Sequence, residues 1–200
     1  MKLIVASNNA HKIAELNAIL SRLGMEVVSQ REAGIQVEPE ETGTTFEENS
    51  YTKAKAVLDA SGMAAVADDS GLMVEALDGA PGVYSARFGG AACASDRDRL
   101  NYLLQKMEGK ENRAAKFVSV ITLLTPDGRQ VTARGECPGR ILTEPHGENG
   151  FGYDPVFYVP EQGCTFAELP AAEKNRISHR ARALAAFAEK VKKENLYVNE

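Results

Sequence analysis

Four short polar clusters carry the side chains best suited to chemistry. They are Ser7-Asn8-Asn9-Ala10-His11-Lys12, Ala67-Asp68-Asp69-Ser70-Gly71, Gly150-Phe151-Gly152-Tyr153-Asp154 and Ser178-His179-Arg180. Each sits where an apolar run stops, the position from which α/β proteins present functional side chains. Together they offer donors for an anion, carboxylates for a metal or a proton, and an aromatic ring for a flat ligand. That set of groups suits nucleotide chemistry.

Each cluster also has a plainer reading. At the start of a helix near Ala10, free backbone N–H groups and the positive dipole end would attract an anion, and His11 and Lys12 in that first turn would be neutralised by a phosphate. Equally, Asn9 could only cap the helix while Lys12 points to solvent. One of Asp68 and Asp69 would face a cleft, to hold Mg²⁺ or take a proton from water, because adjacent strand residues point opposite ways. Asp-Asp-Ser-Gly is also an ordinary polar turn. Asn49 and Lys53, four apart, share one helix face, whether functional or merely solvated. Gly147, Gly150 and Gly152 would let a backbone approach a ligand with Phe151 stacked on a base and Asp154 fixing the loop, or else form a tight turn around a core phenylalanine. His179 and Arg180 could read a carbonyl on a base while Lys174 meets phosphate, or simply follow a Ser178 cap.

The elements that must position these groups alternate along the chain. Leu3–Ala6 is expected to be a buried strand, followed by a helix with Ile13, Leu16, Ile19, Leu20 and Leu23 inward and Gly24 as its stop. Val27-Val28 opens a second strand, and residues 31–44 form an acidic loop with Glu38, Glu40 and Glu41. Thr45 and Glu48 have capping-box spacing for a helix with Tyr51, Ala54, Val57 and Leu58 inward. Ala64–Ala67 and Leu72–Val74 read as strands on either side of the aspartates. A helix over Asp96–Met107 capped by Ser95 follows, then a hairpin of 116–125 and 129–135 turned by Pro126-Asp127-Gly128, a strand over Pro155–Val159, and a last helix from about Ser178 with Leu184, Phe187 and Val191 inward. Strands and helices alternate before a hairpin, which predicts an α/β fold: a mixed sheet flanked by helices.

Composition narrows the classes further. Two hundred residues with 44% hydrophobic content fit one globular domain, with a core of ordinary size. A net charge of −5 without any basic block disfavours nucleic-acid polymers and acidic membranes as partners. Three widely spaced cysteines, Cys93, Cys137 and Cys164, argue for reduced thiols rather than a disulfide framework or a zinc knuckle. No stretch is long and apolar enough to span a bilayer, and the protein is expected to be soluble and cytoplasmic. Walker, dinucleotide and zinc-protease signatures are absent.

Taken in order, the segments resemble the inosine triphosphate pyrophosphatase (Ham1-like) family. The likeness runs through essentially the whole chain, in Ser7-Asn8-Asn9 with Lys12, Glu40-Glu41-Thr42-Gly43, Thr45–Asn49 with Lys53, Ala67–Leu72, Gly79–Arg87, Gly150–Pro155, Glu173-Lys174 and Ile177–Arg180. The resemblance implies an elongated mixed β-sheet flanked by helices, a single domain over 1–200 with two lobes around a central active-site cleft, and a homodimer. It implies hydrolysis of dITP and XTP to monophosphate and pyrophosphate, with Mg²⁺ as cofactor. Ser7, Asn8, Asn9, Ala10, His11, Lys12 and Lys53 would hold the triphosphate, with Lys174 contributing from the other lobe. Asp69 would be the general base and a metal ligand with Glu40 or Glu41. Ser70 would help fix the substrate. Phe151 would stack on the purine in the Gly152-Tyr153 loop, and Asp154, Ser178, His179 and Arg180 would shape the base pocket. The rival readings are a non-catalytic nucleotide-binding module on the same fold and a pyrophosphatase acting on modified pyrimidines or another damaged nucleotide.

Overall fold

The computed structural model describes residues 2–194 and 196, with the side chains of Ile19 and Leu23 outside that description. Its elements in chain order are β1 (Lys2–Val5), α1 (Ala10–Leu20), β2 (Glu26–Ser29), α2 (Phe46–Ser61), β3 (Ala65–Val74), α3 (Asp96–Lys106), β4 (Ala114–Leu124), β5 (Gln130–Ile141), β6 (Phe157–Val159), β7 (Cys164–Thr165), α4 (Ala171–Ile177) and α5 (His179–Lys193). The strands form one mixed sheet in the order β2-β1-β3-β4-β5-β6-β7. β1 runs parallel to β2 and β3, with Leu3 opposite Val27 and Ile4 opposite Ala65. β6 runs antiparallel to both β5 and β7.

Local sequence explains most boundaries. Thr45 caps α2 by accepting from the Glu48 N–H at 3.2 Å, while Glu48 accepts from the Thr45 N–H at 3.2 Å. Ser95 and Asp98 repeat that reciprocal capping on α3. Gly62 ends α2 with φ +67°, a left-handed conformation that an L side chain would strain. β4 and β5 turn at Thr125, whose N–H donates to the Arg129 carbonyl at 3.0 Å.

The chain divides into two compact units. The first comprises Met1–Asp69, Ser119–Gly135 and Arg182–Glu200. On one side its core joins Leu3, Val5, Leu16, Leu20 and Val66 to Leu184, Phe187 and Val191 of α5. A second cluster packs Ile4, Ala54, Val57, Ala65 and Leu124. A strand buried on both faces needs such an unbroken apolar run, and Leu3-Ile4-Val5 supplies it. The second unit comprises Ser70–Val118 and Glu136–Ala181. Its core is rich in aromatic rings, with Phe117 set edge-on to Phe157 at 4.6 Å and stacked with Phe166 at 5.8 Å.

Four expectations need correction. Asp68 and Asp69 do not follow a strand: β3 runs straight through them to Val74. Inside the strand each carboxylate has a lysine partner, Lys12 for Asp68 and Lys53 for Asp69, so no turn is needed. Tyr51, expected inward, is 40% exposed on α2. Residues 154–156 form a single 3₁₀ turn, and only Phe157–Val159 is extended. A separate helix, α4, precedes the one expected from Ser178.

Candidate active site

In the first unit the end of β1 delivers Ser7-Asn8-Asn9 to the start of α1. Asn9 Oδ1 accepts from the His11 and Lys12 N–H groups at 3.0 and 3.2 Å, so Asn9 caps the helix. Ser7 Oγ accepts from the Asn9 N–H at 3.1 Å and tightens the same turn. Asn8, Asn9, Ala10 and His11 are exposed around this helix start. Asn8 is held by Gln30, whose Nε2 donates to Asn8 Oδ1 at 3.1 Å, and by Glu38, which accepts from Asn8 Nδ2 at 3.2 Å.

The same unit places Lys12, Lys53, Glu41, Asp68 and Asp69 together. Lys12 Nζ lies 2.9 Å from Asp68 Oδ2, and Ser119 Oγ donates to Asp68 Oδ1 at 2.5 Å. Asp68, held by Ser119, thus orients Lys12. Lys53 Nζ donates to Asp69 Oδ1 at 2.6 Å and to the Asp68 carbonyl at 3.0 Å, with Glu41 Oε1 at 3.5 Å. Asp69 Oδ2, by contrast, is buried and has no hydrogen-bond partner among the described residues. Glu40 is exposed, while Glu41 is half-buried and faces Lys53. Of the acidic pair, Glu41 therefore belongs to the cluster.

Electrostatics distinguish the groups. Burial pushes the Asp69 carboxyl above its ordinary range, and the Lys53 charge opposes this without cancelling it. Burial alone would push Lys53 down, yet Asp69 and Glu41 together hold it above its usual value. Three carboxylates against two ammonium groups leave an excess of negative charge, which suits a divalent cation. Among the described residues no group of three or more His, Cys, Asp or Glu side chains could hold a metal unaided. Mg²⁺ does not need one, because it binds through one or two carboxylates plus water and substrate phosphates. The open Asp69 Oδ2 and the adjoining Glu41 fit that requirement.

The second unit gathers the remaining candidates. Lys174 Nζ lies 2.5 Å from Asp154 Oδ2 and 4.8 Å from the centre of the Phe151 ring. Both members of the ion pair are almost fully buried. Lys174 thus stands beside the ring expected to stack on a base. Asp154 Oδ2 also accepts from the Phe151 N–H at 2.9 Å, which fixes the loop. A Cβ at Gly150 would fall 2.1 Å from that oxygen, and φ there is +75°, so glycine is required. Gly152 N–H donates to Asp96 Oδ2 at 2.9 Å. Tyr153 is buried with its hydroxyl donating to the Ser85 carbonyl at 2.7 Å. Ser178 Oγ accepts from the Ala181 N–H at 3.2 Å and caps α5. The His179 ring stacks on Phe117 at 4.8 Å, and Arg180 Nη2 donates to Ser70 Oγ at 3.0 Å.

Two supporting residues, Gln30 and Ser119, escaped the sequence reading. For Ser119 a signal existed: it is a hydroxyl within the apolar run of β4, and such a group is buried only with a partner. Gln30 had none, since its role depends on where the 30–38 loop returns.

The chain is similar over nearly its whole length to known proteins. Similar relatives are the dITP/XTP pyrophosphatase of Haemophilus influenzae, 49% identical over 95% of this chain and 98% of its own, and that of Deinococcus deserti, 51% identical over 93% of this chain and 87% of its own. The solved structure of the Staphylococcus aureus Ham1 protein superposes with a TM-score of 0.88 at 40% identity, covering 97% of this chain and 100% of that one. With residues 3–190 matching the Ham1 family model as well, the chain belongs to the Ham1 family.

Proposed function

We propose that this chain hydrolyses dITP, ITP and the xanthosine triphosphates to the monophosphate and pyrophosphate, and so removes non-standard purines from the nucleotide pool. Water attacks the α-phosphorus and the α–β anhydride bond breaks, with pyrophosphate leaving. The observation that carries this reading is the asymmetry of Asp69. One oxygen is held by Lys53, and the other is buried and open to accept a proton. A carboxyl pushed up by burial is a better base once ionised, and a positioned base contributes about 10²–10⁴-fold. Lys53 fixes the orientation of that carboxylate. Lys12, aimed by Asp68, and the α1 N-terminus hold phosphate oxygens, because phosphoryl transfer needs charge neutralisation more than covalent chemistry. Asp69 and Glu41 would hold Mg²⁺ directly or through water, and the bound ion would supply further neutralisation of phosphate charge.

Base selection is assigned to the second unit. Phe151 stacks on the purine, and His179 and Arg180 present donors to its 6-oxo group. Adenine carries an amino donor there, which would leave buried donors unpaired at about 1–3 kcal/mol each. Guanine shares the 6-oxo group, so its rejection has to act on the 2-amino group. Homodimer assembly, a cytoplasmic location and the absence of nucleic-acid or membrane partners belong to the same proposal. They rest on the family resemblance and the charge of −5. No helix among the described residues is long and apolar enough to cross a membrane.

A panel of dITP, XTP, dATP, dGTP and dTTP, with Mg²⁺ and with EDTA, tests the reading. Rapid Mg²⁺-dependent release of pyrophosphate from dITP and XTP is expected, with poor turnover of the other three. Binding without turnover of any of them would favour a nucleotide-binding module. On the same panel, Arg180→Ala should lower the dITP-to-dATP ratio of kcat/KM by about 10-fold, the loss of one discriminating hydrogen bond. An unchanged ratio removes Arg180 from base recognition.

A further inference from the structure

Asn49 has no part in the mechanism above, yet its surroundings are specific. Its side chain is fully buried on the first turn of α2, one turn before Lys53. Asn49 Oδ1 accepts from the Gly43 N–H at 2.9 Å. Because that backbone group can only donate, the amide orientation is fixed and Nδ2 faces the other way. Nδ2 is itself buried, with no partner among the described residues. Gly43 approaches so closely that a Cβ there would fall 2.5 Å from Asn49 Oδ1 and 2.8 Å from Glu48 Cβ. Next along the chain, Glu48 Oε2 accepts from the Thr44 N–H at 2.7 Å and the Thr45 N–H at 3.2 Å. The segment after the acidic pair is therefore pinned to α2 by two side chains. Two residues before Gly43, Glu41 meets Lys53 of the same helix.

We infer that Asn49 is a positioning residue: by seating Gly43 against α2 it aims the Glu41 carboxylate at the Lys53–Asp69 pair, and so sets the affinity for Mg²⁺. A capping box alone would hold Thr44 and Thr45 but leave the chain free to swing at Gly43. The Asn49 bond removes that freedom at the first residue after the Glu41 turn, in which the Thr42 N–H donates to the Glu40 carbonyl at 3.1 Å. The inference rests on the proposed function only for the identity of the metal and the use made of it.

Two variants attack the contact from opposite sides. Asn49→Ala removes the acceptor, and Gly43→Ala pushes the loop off it while leaving Asn49 in place. Each should weaken Mg²⁺ binding to the substrate-free protein about 10-fold by calorimetric titration, as losses behind a metal ligand typically do. Each should raise the Mg²⁺ concentration for half-maximal dITP hydrolysis by a similar factor. The double variant should be no worse than either single one, because both remove the same contact. Asn49→Asp, which keeps an acceptor for Gly43, should retain the slow amide exchange of Gly43 that Asn49→Ala loses. Unchanged Mg²⁺ affinity in a folded Gly43→Ala protein, additive losses in the double variant, or a parent protein that does not bind Mg²⁺ would each overturn the inference. A parent that binds Mg²⁺ with these dependences but turns over no nucleotide would instead overturn the proposed reaction alone.

Discussion

Asp69→Asn is expected to lower kcat for dITP by about 10²–10⁴-fold, the contribution of a positioned general base, while nucleotide binding and fold persist. The amide keeps the shape of the side chain, and its oxygen can still accept from Lys53, which holds Asp69 Oδ1 at 2.6 Å. What it cannot do is take a proton from water at the second position. Stability should not suffer. Burial outweighs the attraction of Lys53 and raises the Asp69 pKa, so folding favours the protonated carboxyl over the ionised one. Stability from that group is present at low pH and lost as pH rises through its raised pKa. At neutral pH a neutral amide removes that cost. It also removes the Asp69 charge that helps to hold Lys53 above its usual value, so the two effects oppose and the urea midpoint should change little. Near-normal turnover by a folded Asp69→Asn protein would remove Asp69 as the base. A midpoint that falls steeply would mean that the Lys53–Asp69 attraction outweighs burial.

The second large effect concerns stability. Asp154→Ala should destabilise the protein by about 3–5 kcal/mol, the usual cost of leaving one member of a buried ion pair alone. Lys174 and Asp154 have side-chain exposures of only 7% and 3%, so water cannot replace the lost carboxylate. The neighbouring Phe151 and Phe166 rings, 4.8 and 5.5 Å from Nζ, offer cation–π contacts of about 0.5–2 kcal/mol, too weak to compensate. Asp154→Ala also frees the Phe151 N–H, so KM for dITP should rise. Adding Lys174→Met should recover much of the stability, since paired replacement of a buried ion pair by apolar groups is often close to neutral. Recovered stability without recovered KM would separate the two roles of Asp154. Urea unfolding of the two variants decides the first point, and loss below 1 kcal/mol in Asp154→Ala would contradict it.

How much of this was legible in the chain depended on distance along it. Helix starts announce themselves within four residues, and the Thr45–Glu48 and Ser95–Asp98 pairs bond as their spacing predicts. The apolar stripe of α5 likewise turned Leu184, Phe187 and Val191 inward. Asp68-Asp69 misled because two charges normally end a strand. Burying carboxylates costs several kcal/mol unless they are paired, and the partners Lys12, Lys53 and Ser119 come from 16 to 56 residues away. The Asn49–Lys53 spacing was visible, but its consequence for Gly43 depends on how the acidic loop returns to α2. The Lys174–Asp154 pair was not legible either, since it depends on α4 packing beside the Gly150–Asp154 loop. α4 itself, Ala-Ala-Glu-Lys-Asn-Arg-Ile after Pro170, had good helix formers and was overlooked because it is only seven residues long.

Hydrolysis of dITP in ¹⁸O-labelled water, with mass analysis of both products, tests the central claim most directly. Attack on the α-phosphorus, with Asp69 drawing the proton from water, places the label in the monophosphate and leaves pyrophosphate unlabelled. Label in pyrophosphate would mean attack on the β-phosphorus, and labelled orthophosphate would mean attack on the γ-phosphorus. Either result would contradict the assignment of Asp69 as the base acting at the α-phosphorus.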